Sequence, residues 1–140
     1  MHLRNINNLV GTELEYYKDD RGSILDLFYN ANINHVAQII SEPGIVRGNH
    51  YHKKTTQHTL ITEGTIEYWY KDITSDEPAK VVFAKVGDIV TSKPYEIHSL
   101  KMGPQGSTCL VFTQGPRGGK DYESDTFRVD NIVGSYINEL

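Results

Sequence analysis

The chain has 140 residues, 38% hydrophobic and 23% charged, enough for one hydrophobic core, so a single domain over residues 1–140 is expected. A formal charge of −4, a sequence pI near 5.8 and no cluster of Lys or Arg argue against nucleic acid or an anionic membrane as a main partner. A small anionic ligand stays open, because two or three basic side chains can grip a phosphate inside an acidic protein.

The punctuation along the chain is that of an all-β protein. Asp19-Asp20-Arg21-Gly22 opens a first apolar run, Ile24 to Tyr29. A second, His35 to Ile40, ends at Ser41-Glu42-Pro43-Gly44. Val46 to His52 follows, then His58 to Glu63 and Thr65 to Lys71, which read as a hairpin turning at Gly64. A polar loop, Asp72 to Lys80, leads to Val81–Ala84, Gly87–Val90, Ile97–Met102 and Thr108–Thr113. Gln114 to Lys120, with three glycines, reads as a mobile loop, and Asp121 to Val133 as a further strand with a turn. No long stretch carries a 3.6-residue apolar period. The single cysteine, Cys109, excludes an internal disulfide and sits in an apolar run as a buried thiol. The first residues, Met1 to Asn8, are too polar for a signal peptide, and no apolar run is long enough for a bilayer. The expected location is the cytoplasm.

Chemistry concentrates in the histidines. His50 and His52 are one residue apart, so on a strand both rings face one way, about 7 Å apart along the chain, with Tyr51 turned to the other side. Two neutral imidazoles on one face are a ready pair of ligands for a divalent metal. Gln57 reaches the same interior if the next strand folds back, and His98 arrives from a later strand just after Pro94-Tyr95-Glu96.

The stretch from Gly44 through His50-Tyr51-His52 and Gln57 to Gly64, with the later stretch Gly87-Asp88 to Pro94-Tyr95-Glu96-Ile97-His98, resembles the two sequence motifs of the cupins. The resemblance implies a jelly-roll β-barrel, a double-stranded β-helix, with His50, His52, Gln57 and His98 converging inside it. A divalent ion such as Zn, Fe, Mn or Ni is then the expected cofactor, and no organic cofactor is. Most metal-binding cupins carry Glu where this chain has Gln57. A neutral amide is a weaker ligand, so the metal-free alternative stays open, with the histidines as hydrogen-bonded catalytic or structural groups.

A narrower resemblance rests on Asp20-Arg21-Gly22 and Val46-Arg47-Gly48-Asn49-His50-Tyr51. These are similar to two segments of the RmlC-like dTDP-sugar 3,5-epimerases, which implies His50 as general base and Arg47 on the substrate-contacting strand. His50-x-His52-Lys53 followed by Gln57 is similar to the nucleotide-sugar 3,4-ketoisomerases, which implies His52 as base and no metal. Arg47-Gly48-Asn49-His50-x-His52 also resembles the C-terminal, metal-binding cupin of capsular polysaccharide reductases. The chain departs from the epimerases in having no tyrosine in Leu110 to Gln114, although Tyr122 follows, and in carrying His52 where they have Gln.

Together these imply an enzyme that isomerises or epimerises a sugar or nucleotide-linked sugar, with a likeness-based expectation of a homodimer. Shifting or inverting a centre beside a ketone needs a base, a donor for the oxyanion and an anion clamp. The catalytic candidates are His50, His52, Arg47 and Tyr51. The substrate-binding candidates are Arg47, Lys54, Tyr68, Tyr70 and Arg117, with Lys53, Lys120 and Arg128 as further cations. Two other readings fit the same fold: a metal-dependent dioxygenase, and a saccharide-binding cupin without turnover. His58, out of phase with Gln57, is expected to face away from the pocket. His35 is expected to be packed and hydrogen-bonded, Glu96 to be a solvated strand end, and Tyr16, Tyr17, Tyr29, Tyr136 and Trp69 to serve packing or dimer contacts.

Overall fold

The computed structural model describes residues 1–117 and 119–134; the expectation for Tyr136 lies outside them. Ten strands succeed one another: β1 (His2–Asn5), β2 (Tyr16–Asp19), β3 (Gly22–Leu25), β4 (His35–Ser41), β5 (Val46–Tyr51), β6 (Thr56–Asp72), β7 (Lys80–Lys85), β8 (Asp88–Ser92), β9 (Glu96–Gln114) and β10 (Phe127–Arg128). A 3-10 helix, Gly119–Asp125, lies between the last two. No helix among the described residues is long and apolar enough to cross a membrane.

The frame is the antiparallel pair β6·β9, aligned from Thr56↔Gln114 to Asp72↔Glu96. Each long strand serves two layers. The first half of β6 pairs with β8, which carries β1, and the second half pairs with β7. The second half of β9 pairs with β4, and the first half with β5, which carries β10. The layers β1-β8-β6-β9-β4 and β7-β6-β9-β5-β10 therefore share their two central strands. They close on each other around Ile61, Val90 and Cys109 from one and Ile66, Tyr68, Ala84 and Met102 from the other, all buried. This is a jelly-roll arrangement.

The hairpin expected at Gly64 is not formed. The segments before and after Gly64 are one strand, because both halves find their partner in β9, which bends beside them. The register shifts between Ile61 and Glu63 and again between Gly64 and Ile66. Ile61 and Ile66 are five residues apart, so unbroken alternation would send them to opposite faces; the irregularity returns Ile66 to the core. Ile97–Met102 and Thr108–Thr113 are likewise two parts of β9, joined through Gly103 and Gly106. The corner needs glycine. A Cβ on Gly64 (φ +74°) would lie 2.0 Å from the Gly106 carbonyl oxygen, and one on Gly106 (φ +74°) 2.4 Å from that of Ser41.

Two other expectations change. Ile24 to Tyr29 is strand only as far as Leu25; the Asp26 N–H goes back to the Glu15 carbonyl and the chain leaves the small β2–β3 sheet, so that Leu27 and Phe28 cover a neighbouring face. The Asp19–Gly22 turn of that sheet is closed by Arg21, whose guanidinium meets the Asp19 carboxylate at 2.6 Å. The segment from Asp121 to Val133 starts as 3-10 helix, up to Asp125, and its strand is confined to Phe127–Arg128. The helix end is tied down by Asp125, 3% exposed, whose carboxylate accepts the backbone N–H groups of Lys53 (2.9 Å) and Lys54 (3.0 Å) and the Thr55 hydroxyl (2.7 Å).

Gly64→Ala is expected to destabilise the protein by about 3 kcal/mol or more, since it adds a positive-φ penalty to a backbone collision; urea unfolding measures it. Asp125→Ala leaves three inward-facing donors without an acceptor and is expected to cost about 2–4 kcal/mol. In proteolysis the chain should then open first between residues 119 and 134, with the barrel retained.

Candidate functional site

The site begins with a break in β5. The register slips between Gly48 and His50, with Gly48 at φ +101° and Asn49 at φ +56°. A Cβ on Gly48 would lie 2.8 Å from the His98 carbonyl oxygen, so only glycine lets β5 lie this close to β9. The slip brings His50 opposite His98, with ring centroids 4.7 Å apart. His52, just past the end of the same strand, completes the group at 4.9 Å from His50 and 5.3 Å from His98. Their nearest ligand atoms all lie within 4.8 Å of one another.

The backbone decides which nitrogen each ring offers. His52 Nδ1 lies 2.7 Å from the Asp125 carbonyl oxygen, and His98 Nδ1 lies 3.3 Å from that of Glu96. A carbonyl has no proton to give, so each Nδ1 carries the hydrogen and each neutral ring keeps its lone pair on Nε2. His52 Nε2 is buried without a partner. Protonation is disfavoured throughout. Burial, then the positive potential of His52, Arg128 and Arg117, pushes the His50 pKa down to about 4. Burial holds His98 well below the usual histidine value, and lowers His52 despite the Asp125 carbonyl. Three neutral imidazoles, two oriented by carbonyls, fit the donor set of a divalent metal. They equally fit a proton acceptor. Gln57, 8% exposed, lies on the same wall.

The histidines open into a cavity of about 340 Å³. Its floor is apolar, formed by Leu100, Met102, Cys109 and Val111, with the Cys109 thiol buried as expected. Arg47, Arg117 and Arg128 line it with Tyr122. Arg47 is braced by Ser41 Oγ (2.8 Å), and Arg128 is paired with Glu123 (2.8 and 2.9 Å). Arg117 lies over the Tyr122 ring at 4.3 Å, and its Nε is buried without an acceptor. Tyr122 itself lies 6.4 Å from the rings of His50 and His52.

Of the residues singled out in the sequence, His50, Gln57, His98, Arg47, Arg117 and Arg128 line this cavity, and His52 is packed against it. Six others lie off its wall, Lys53 and Lys120 among them. Tyr51, on the opposite face of β5, stacks on Phe127 at 5.3 Å. Lys54 is engaged through its backbone N–H with Asp125. Tyr68 lies behind His98, nearly parallel to its ring; its hydroxyl donates to Glu96 and shares a hydrogen bond with the Ser92 hydroxyl, and burial pushes its phenol pKa well up. Tyr70 packs on Tyr68. Glu96 is buried rather than solvated, against the Met1 ammonium at 2.5 Å and Tyr68. His35 is half-buried, and its Nδ1 has no hydrogen bond. His58 faces away, as alternation required. Tyr122 and Asp125 gained their places only through the 3-10 helix, for which the sequence gives no periodic signal.

The polysaccharide biosynthesis C-terminal domain family matches residues 17–114. UDP-2-acetamido-2,6-beta-L-arabino-hexul-4-ose reductase of Pseudomonas aeruginosa is 25% identical over 61 residues, which cover 44% of this chain and 16% of that protein. Among solved structures, the capsular polysaccharide assembling protein CapF of Staphylococcus aureus superposes with a TM-score of 0.63 at 20% identity, over 86% of this chain and 34% of CapF. The 3,4-ketoisomerase QdtA of Thermoanaerobacterium thermosaccharolyticum, as a mutant in complex with TDP-4-keto-6-deoxyglucose, superposes with a TM-score of 0.68 at 19% identity, over 91% of this chain and 86% of that one. The chain thus spans about a third of CapF and nearly the whole of the ketoisomerase. A jelly roll closed by two shared strands, these neighbours and the family match agree: the chain belongs to the polysaccharide biosynthesis C-terminal domain family and has the RmlC-like cupin fold.

Proposed function

We propose that this protein acts on a sugar or nucleotide-linked sugar in polysaccharide or deoxysugar biosynthesis, moving a proton at the carbon beside a carbonyl as isomerases and epimerases do. The observation that carries the reading is the neutral, carbonyl-oriented histidine group opening into a cavity lined by three arginines. His50 or His52 accepts the proton, since each is uncharged at neutral pH and His52 keeps an unpartnered Nε2. Arg117, with an unpartnered Nε, stabilises the oxyanion that develops, and Arg47 and Arg128 hold a phosphate of the substrate. Tyr122 stands beside both histidines to return a proton. The apolar floor keeps bulk water from the reacting carbon.

His50, His52 and His98, with the Gln57 amide beside them, are the residues that would hold a divalent ion. Such an ion, when bound, supplies Lewis-acid polarisation of the carbonyl. A cytoplasmic homodimer completes the reading. The outward face of β4 exposes Val36 (56%) and Ile40 (68%), an apolar edge that a second copy would cover.

Incubated in D2O with a nucleotide-linked 4-keto-6-deoxy sugar, the wild-type protein is expected to exchange hydrogen at the carbon beside the ketone. His50→Ala or His52→Ala should slow exchange by about 10²–10⁴-fold, as read by NMR. Saturable binding of the sugar with no exchange in the wild type would replace the enzyme reading with a saccharide-binding one. Elemental analysis of untagged protein tests the ion separately. Near-stoichiometric metal in the wild type and its loss in His52→Ala are expected, whereas a folded, metal-free wild type leaves only the metal-independent chemistry.

A further inference from the structure

A second cavity, of about 290 Å³, lies on the other face of the β1-β8-β6 edge. Alternation puts it there. Gln57 and Ser92 line the histidine cavity, while their chain neighbours His58 and Thr91 line this one. The register sets His2, Thr91 and His58 in one row across three strands, with Arg4 two residues along β1 on the same face. Leu27 and Phe28 close one side and Thr12 to Leu14 another.

The side chains here are basic and under-bonded. Arg4 gives one N–H to the Leu27 carbonyl (Nη2, 2.8 Å), but its Nη1 is buried with no acceptor. Among the described residues no carboxylate pairs with it; Glu13, on the cavity wall, is exposed and makes no ion pair. His58 spends Nδ1 on Thr91 Oγ1 at 2.8 Å and is held against Phe28, with ring centroids 5.1 Å apart. Burial first, then the neighbouring Arg4 and His2, lowers the His58 pKa, so Arg4 is the cation of this cavity and His58 stands beside it as a neutral ring. A guanidinium N–H out of water without an acceptor is costly, and an ionised oxygen is the acceptor that relieves it best.

We propose that this cavity is a second ligand site, taking a small oxyanion, a carboxylate or a phosphate, on the Arg4 fork beside His58. It is separate from the histidine cavity and does not depend on the function proposed for that cavity.

The test follows the histidine ring signals of the full chain by NMR during titration with inorganic phosphate and, in a second arm, acetate, at fixed ionic strength with chloride as control. His58→Gln identifies the His58 signal. Saturable movement of that signal by one of the two anions and not by chloride is expected, and the anion that saturates names the ligand class. Arg4→Met should weaken this binding about tenfold or more, Glu13→Gln should leave it intact or tighten it, and Arg117→Met, in the other cavity, should not change it. A wild-type His58 signal that neither anion moves overturns the proposal, whatever the variants do. So does a folded Arg4→Met protein that binds like the wild type.

Discussion

Everything in this protein hangs on the place where its two long strands bend together. β6 and β9 stay paired from end to end while each passes from one layer to the other. The passage demands that backbone meet backbone, Gly64 against Gly106 and Gly106 against the Ser41 carbonyl, at distances no side chain permits. Without that corner the two layers would be one flat sheet, and its inner face would have no second wall. With it, Ile61 and Ile66 reach the same core, and the polar residues near the strand ends are left facing an enclosed space rather than solvent. The histidine cavity is a product of this fold-over.

A second glycine repeats the device on a smaller scale. Gly48 lets β5 slip one residue against β9, and the slip sets His50 across from His98. Two of the three rings then have their tautomer set by the backbone. His98 is held by the Glu96 carbonyl and His52 by that of Asp125, so the histidine chemistry is coupled to the anchoring of the 3-10 segment. Asp125 works twice: its carbonyl orients His52, and its carboxylate ties the segment to residues 53–55. The same segment carries Tyr122 and Glu123, and through Glu123 it steadies Arg128. Loosening one aspartate therefore disturbs the cavity wall and the orientation of a histidine together.

The sequence disclosed the part of this that depends on alternation and spacing. Two histidines one residue apart must share a face, Gln57 and His58 must not, and a later His98 after a turn falls into the same interior. The strands around them were legible for the same reason. What failed was topology. A glycine between two apolar runs signals a turn when only local sequence is read, yet at Gly64 the strand continues, because its partner β9 is far away in the chain and bends with it. Glu96 looked like a solvated end for a similar reason: its burial is set by Tyr68 and the Met1 ammonium, both remote in sequence. The roles of Asp125 and Tyr122 arise in a short 3-10 segment without periodic pattern, so no local rule pointed to them.

The charge inventory of the histidine cavity adds a constraint on any ligand. Its wall carries three guanidinium groups, and among the described residues the one carboxylate paired with any of them is Glu123, which answers Arg128. The histidines add no charge at neutral pH, and Gln57 adds none where a carboxylate would. A neutral sugar would offer Arg117 Nε an acceptor but would bring no negative charge to Arg47. A ligand bearing phosphates would balance the field at Arg47 and Arg128, and a divalent ion on the histidines would only strengthen the demand for negative charge. On physical grounds the proposed substrate is therefore better drawn as a nucleotide-linked sugar than as a free one: the diphosphate answers Arg47 and Arg128, and the sugar ring is left to meet the histidines and Arg117.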